Sequence, residues 1–429
     1  MNRVSRKRNA ISAVLFVAAP LVTSLAVAEG DWGGSVGVAV SQDDNARKSD
    51  VNQIEERQDE ATARLYADYK GSWYLFDADY TARYLNYSKD SQDDRNQLDG
   101  RASLFLGKPK GWASLAVGNE RRSVYNAPED APISENLDDR SVWYVEPSLI
   151  ARFGSVNSLT LAGRAEQVSY RYNSLRDSEP KTASLTFQRD VSSVSFFQAY
   201  GGVRSVEYPN GTLDDYENQF GGIAWNSRLR LLSYELKLGY NKATFEDNGA
   251  DYEAPSVYLT LDYNSSVNRF LFELSQDITD TSSGSALLDD VPENPEADGV
   301  GVDQIERQRA RAVWTSQGLC GRCETTLGYR YQYDDYRRDI RDGSTEAFTA
   351  GFRYRFSESL RSFVQYERSK LDYRSDALFG YEADRIDVRL EKTLGAQLAA
   401  RVFYSYEQRQ AQVDYDQNIL GIGLTYTFK

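Results

Sequence analysis

The chain has 429 residues, 50 Lys and Arg against 64 Asp and Glu, two Cys, no His, and 30 Tyr, 18 Phe and 6 Trp. A net charge of −14 argues against nucleic acid as a partner, because binding a polyanion needs a basic surface. Without an imidazole, Ser-His-Asp and Cys-His nucleophilic catalysis are closed, the carboxylates are too scattered to single out a glycosidase-like pair, and neither enzyme activity nor a cofactor is expected.

At the N-terminus, Arg3, Arg6, Lys7 and Arg8 precede an apolar run, Ala13-Val14-Leu15-Phe16-Val17-Ala18-Ala19, and then Ala26-Val27-Ala28. This is the order of a secretory signal peptide with a small-residue cleavage site. The run is too short to span a bilayer, and no Cys follows to take lipid. Residues 1–28 are therefore expected to be removed on secretion. Residues 29–429 show no linker and no change of texture, so they read as one domain. No later apolar stretch has the length of a membrane helix.

From there the chain alternates in polarity with period two, which gives each strand two unlike faces. Ala63, Leu65, Ala67 and Tyr69 oppose Arg64, Tyr66, Asp68 and Lys70; Val257, Leu259, Leu261 and Tyr263 oppose Ser256, Tyr258, Thr260 and Asp262; Ile386, Val388 and Leu390 oppose Arg385, Asp387, Arg389 and Glu391. Short connections fall at Lys70-Gly71-Ser72, Lys108-Pro109-Lys110-Gly111, Phe153-Gly154-Ser155, Ser227-Arg228-Leu229, Asn264-Ser265-Ser266 and Leu394-Gly395-Ala396. Long acidic ones fall near residues 43–59, 88–97, 126–139, 174–180, 246–254 and 280–303. Alternation of short and long connections is a property of outer-membrane barrels, with tight periplasmic turns and longer outer loops. The reading is an all-β fold, a transmembrane antiparallel up-and-down β-barrel of about 20 strands, within two. Trp73, Tyr74, Trp112, Tyr170, Tyr172, Tyr240, Tyr354 and Phe356 lie toward segment ends, as interfacial girdles require. Outer-membrane lipid and lipopolysaccharide are the expected surroundings.

Cys320 and Cys323 stand in Leu319-Cys320-Gly321-Arg322-Cys323 between two strands. No helix N-terminus is there to activate a thiolate and no further soft ligand to complete a zinc site, so a disulfide closing the turn is expected. Asp43-Asp44-Asn45, Asp93-Asp94, Asp214-Asp215, Asp289-Asp290 and Asp334-Asp335 lack the ordered spacing of a calcium loop. They read as solvated loops, and no metal site is assigned.

The second face of the strands has charges of both signs and needs water. Arg309, Arg311, Arg353, Arg355, Arg385, Asp387, Arg389, Glu391, Arg401, Glu407 and Arg409 are the candidate pore-lining residues, and their arginines concentrate positive charge in the last third of the chain. Forked guanidinium donors would favour a small anionic or polyhydroxylated solute; alternatively, cross-strand carboxylates neutralise each Arg and the set braces the wall.

The Gly-rich first strand (Gly34-Ser35-Val36-Gly37-Val38), then Ser41-Gln42-Asp43-Asp44-Asn45, then Tyr-rich alternating strands to the C-terminus, resemble the β-barrel porin 2 family of outer-membrane proteins. That family includes members associated with exopolysaccharide and exosortase loci. The terminal strand, with Tyr426 and Phe428, is similar to the signal read by the barrel assembly machinery, its last aromatic one place from the end. The resemblance implies a porin-like role linked to polysaccharide passage. Two functions follow: an outer-membrane channel for polar solutes, or a non-conducting barrel acting in adhesion or envelope structure through its acidic loops. Loop 280–303 could serve either as an inward constriction or as an outward contact surface.

Overall fold

The computed structural model describes residues 29–108, 111–210, 215–245, 251–280, 304–337 and 340–429. The expected signal peptide, and the expected long loop apart from its first residue, lie outside them. Its strands are β1 Glu29–Asp43, β2 Glu56–Lys70, β3 Tyr74–Tyr87, β4 Arg95–Gly107, β5 Ala113–Tyr125, β6 Leu137–Phe153, β7 Asn157–Tyr170, β8 Glu179–Asp190, β9 Ser195–Glu207 and β10 Tyr216–Arg228. They continue as β11 Leu232–Phe245, β12 Asp251–Asn264, β13 Asn268–Asp280, β14 Gln304–Ser316, β15 Cys323–Tyr336, β16 Gly343–Arg355, β17 Leu360–Tyr373, β18 Tyr381–Thr393, β19 Leu398–Gln410 and β20 Tyr415–Phe428. Every strand pairs antiparallel with its chain neighbours, as β18 does with β17 and β19. The sheet closes where β1 meets β20 from Gly34↔Phe428 to Asp43↔Ile419. The result is a closed 20-stranded antiparallel barrel.

Alternation decides which side chains face out. Val36, Val38, Leu65, Trp143, Leu161, Ile223, Val402, Leu420 and Ile422 are all exposed on the outside, while the charged residues between them point inward. This apolar belt starts at the short turns, where Trp73, Trp112, Leu229 and Leu394 are exposed. It ends about eight residues higher, where Lys181, Gln219, Gln308 and Arg368 begin the polar outer surface. With roughly 3.3 Å per residue and a tilt of about 40°, the belt is about 20 Å tall. The loop-side third of the wall continues beyond it.

Within that upper third the barrel is packed. Asp43, Glu56, Val124, Asp138 and Val206 are completely buried, and two apolar clusters, Val124/Val142/Val168/Tyr170 and Val206/Tyr208/Tyr216/Ala243/Phe245, line the inside. One local device recurs there. The backbone N–H of Tyr87 donates to Asp94 Oδ1 (3.1 Å), Tyr170 to Asp177 (2.7 Å), Tyr208 to Asp215 (2.7 Å) and Tyr336 to Asp342 (2.8 Å). Each Asp thereby takes up a donor that the ending strand leaves unpaired.

Strands β4 and β5 pair only from Gly100↔Arg121 to Gly107↔Ser114, and diverge above Gly100. That glycine has φ +146°, and a Cβ there would lie 2.1 Å from the Asp79 carbonyl oxygen. The bare backbone lets the Tyr80 side chain cross it on the outside and donate its hydroxyl to Asn119 Oδ1 at 2.8 Å, so a polar side chain on the outer face is covered.

Candidate functional site

Closure of the barrel puts the candidate residues on one side of the wall. Arg309 and Arg311 on β14, Arg353 and Arg355 on β16, Arg385, Asp387, Arg389 and Glu391 on β18, and Arg401, Glu407 and Arg409 on β19 alternate with the exposed Phe352, Ile386, Val388, Leu390, Val402 and Tyr404. They therefore occupy the inner face.

Most of the arginines have partners. Arg309 donates to Gln332 Oε1 (2.9 Å), Arg311 to Glu273 Oε2 (3.3 Å), Arg353 to Glu324 Oε1 (3.1 Å), Arg385 to Asp387 Oδ2 (2.8 Å) and Arg401 to Glu60 Oε1 (3.4 Å). Glu391 is bonded by Arg361. The Arg401 contact spans two strands: in register it faces Gly423, then Ala39, then Glu60, and two small residues leave the long side chain room to lie over the wall. Instead of an uncompensated basic wall the inner face is mainly a mosaic of cross-strand pairs. Nor is positive charge confined to the last third of the chain. Arg95, Arg122, Arg140, Arg164 and Arg176 belong to β4–β7 and the loop after β7, and Arg164 is paired with Glu146 and Glu166.

Toward the loop end this wall borders a cavity of about 570 Å³ lined by Arg311, Arg330, Glu367, Arg385, Glu407 and Arg409, with Lys48, Asp130 and Arg341 contributed by loops. Of the candidates, Arg311, Arg385, Glu407 and Arg409 meet here; Arg353, Arg355, Arg389, Glu391 and Arg401 lie nearer the short turns.

Two loops narrow the cavity. The connection between β5 and β6, residues 126–136, is held in shape by Asn136, which accepts from the Ala127 N–H (2.9 Å) and donates to its carbonyl (2.8 Å). At its base the Ser134 N–H donates to Gln92 Oε1 (2.8 Å). Its tip reaches β17 and β19: Arg409 donates to the carbonyls of Pro128 (3.2 Å) and Glu129 (2.7 Å), and the Tyr373 hydroxyl to Glu129 Oε2 (2.9 Å). The connection between β1 and β2 also turns inward, and Lys48 meets Glu407 at 3.1 Å. The sequence reading missed Lys48, Glu129 and Tyr373. The loop it singled out as a possible constriction, 280–303, lies almost wholly outside the described residues, and the segment seen to cross the interior is 126–136.

Cys320 and Cys323 are joined by a disulfide, with Cα atoms 5.3 Å apart, in the connection between β14 and β15 at the short-turn rim. Among the described residues, no group of three or more His, Cys, Asp or Glu side chains could hold a metal ion.

No family model matches the sequence, and no curated protein is similar to it. Among solved structures, the chain is similar to OccAB4 of Acinetobacter baumannii, with 12% identity, 93% of this chain and 98% of that chain covered, and a TM-score of 0.40. It is also similar to two proteins of Pseudomonas aeruginosa: the outer membrane protein OpdK, with 11% identity, 92% and 99% coverage and a TM-score of 0.38, and OpdQ, with 12% identity, 93% and 98% coverage and a TM-score of 0.39. The barrel itself rests on the strand pairing and not on these likenesses.

Proposed function

We propose that this chain is an outer-membrane channel for small polar solutes, secreted through the signal peptide at residues 1–28 and narrowed by the 126–136 loop. The carrying observation is the pairing of an apolar outer belt with a charged inner wall around a cavity. Exposed apolar surface on that scale is suited to lipid, and inner charged pairs that stay partly exposed, such as Arg311–Glu273, Arg353–Glu324 and Arg385–Asp387, are suited to water. The outer surface just above the belt has Lys181–Glu207, Lys242–Asp251 and Arg368–Glu382 pairs, suited to the headgroup layer and to lipopolysaccharide. A cavity of about 570 Å³ falls in the range of small-ligand sites, roughly 300–1,000 Å³. It supports a small anionic or saccharide-sized cargo rather than a polymer strand, which narrows the exopolysaccharide association implied by the family resemblance.

Reconstitution in a planar bilayer tests the channel. The wild type is expected to give ohmic steps, and Glu129→Ala larger ones, because the loop tip loses its bond to Tyr373. A folded barrel that gives no steps would overturn the channel in favour of a closed envelope barrel acting through its loops.

A further inference from the structure

Strands β9 to β11 present bare backbone to the interior beneath two aromatic rings. Val203, Ile223 and Leu238 are exposed on the outside, so Tyr200 and Gly202 on β9, Phe220 and Gly222 on β10 and Gly239 on β11 face inward. Tyr200 is in register with Gly222 and, one strand further, with Gly239, while Phe220 is in register with Gly202. Each ring lies across its neighbour's glycine. A Cβ on Gly202 would stand 2.6 Å from Phe220 Cζ, and one on Gly222 or Gly239 would stand 2.8 or 3.1 Å from the Tyr200 hydroxyl oxygen. One face of each ring is thus laid against the wall and the other is turned to the interior, since both side chains are only half-buried.

Covering a glycine would account for one such ring by itself, but the polar groups beside this pair go further. In the next row toward the loops, Arg204 faces Asn218 in register. Arg204 Nε and Nη2 and Asn218 Oδ1 are buried and make no hydrogen bond among the described residues, and Nη2 stands 3.8 Å from Glu166. Toward the short turns, Lys237 is paired with Glu235 at 2.9 Å and lies 4.9 Å from the Tyr258 ring centroid. Each cation here has a carboxylate nearby, so the patch has no excess positive charge to draw in an anion. It offers two apolar ring faces edged by donors and an acceptor that lack protein partners, and buried polar atoms of that kind call for one.

We infer that Tyr200 and Phe220 form a stacking platform for the pyranose ring of a neutral saccharide. A pyranose has C–H faces that pack on the face of an aromatic ring, and a rim of hydroxyls that both donate and accept. Seated on the two rings, it brings that rim to the Arg204 donors and the Asn218 side-chain carbonyl. An inorganic ion gains nothing from the ring faces, and an apolar ligand leaves the buried polar atoms unmatched. The platform deepens the channel reading and rests on it for its purpose: weak holding by the wall lets a solute enter and still leave.

Titration of the full-length barrel, folded in an amine-oxide detergent, with cellobiose tests the platform without needing a current; saturation-transfer NMR on the sugar C–H protons gives the readout. The wild type should show saturable transfer, and Tyr200→Phe, which keeps the ring, should bind nearly as well. Tyr200→Leu and Phe220→Leu should each raise the Kd roughly threefold to tenfold, with folding of every variant checked by its heat-sensitive gel mobility. Mannitol, an acyclic polyol without a ring face, should show no saturable transfer. No saturable transfer to cellobiose, or a Kd unchanged in both Leu variants, would overturn the platform. Equal losses in Tyr200→Phe and Tyr200→Leu, or equal transfer to mannitol, would overturn stacking as its basis, and displacement of cellobiose by sodium succinate would overturn the preference for a neutral ligand. A barrel silent in planar bilayers that still binds cellobiose would refute the channel and leave the platform standing; ohmic steps without cellobiose binding would do the reverse.

Discussion

Lys48 and Glu407 are 9% and 14% exposed, and their charges meet at 3.1 Å. Removing one member of a buried pair strands the other, which costs more than the pair itself contributes. Lys48→Met is expected to destabilise the folded barrel by about 3 kcal/mol, the lower end for broken buried pairs, because Tyr415 still donates to Glu407 and Arg385 faces it in register. Urea unfolding from detergent micelles checks this; an unchanged midpoint would show that the inward turn of the first loop does not depend on the pair. Glu407 was legible in the sequence because it alternates with Tyr404 and Tyr406, residues of opposite facing or polarity on a strand with a two-residue period. Lys48 was not, since its partner lies 359 positions away and nothing local in the first loop marks an inward course.

Strand ends and connections show where sequence patterning reaches its limit. Faces were readable in the alternating strands, because a shift of one residue would put Arg385, Asp387 and Arg389 on the apolar outer face. Two turns without Gly, Pro or Asn were passed over: Val191-Ser192-Ser193-Val194 and Phe356-Ser357-Glu358-Ser359 connect strands although little but serine distinguishes them from strand sequence. The recurring bond from a strand-end Tyr N–H to an Asp six or seven residues on is local and was in principle legible. Burial pushes the Asp177 carboxyl above its ordinary pKa, against the lowering effect of the Tyr170 N–H, so its charge adds little there. Asp177→Ala should therefore cost about 1 kcal/mol, the usual worth of such an acceptor, and Asp177→Asn clearly less, both read from urea midpoints. Equal losses for the two variants would mean that the charge matters more than the hydrogen bond. At Gly100 the left-handed side of φ space and the nearby Asp79 carbonyl both oppose a side chain. Gly100→Ala is expected to destabilise the barrel by at least about 1–2 kcal/mol, and a neutral result would show that β4 and β5 can repack where they diverge.

For the molecule as a whole, the number of strands and the sense of each face follow from alternation and loop lengths, while the constriction does not. The tip of the 126–136 loop is fixed by Tyr373 and Arg409, 244 and 280 residues away, so its path across the interior emerges only once the barrel closes. In the proposed channel one set of alternating side chains meets lipid and the other meets water. Spin labels placed singly at positions 385 to 390 of β18, in barrels reconstituted into liposomes, test it most directly. The native cysteines do not interfere, since no free cysteine occurs among the described residues. Labels replacing Arg385, Asp387 and Arg389 should relax with a water-soluble nickel chelate, and labels replacing Ile386, Val388 and Leu390 with oxygen dissolved in the bilayer. Equal access of the chelate to all six positions would contradict the account.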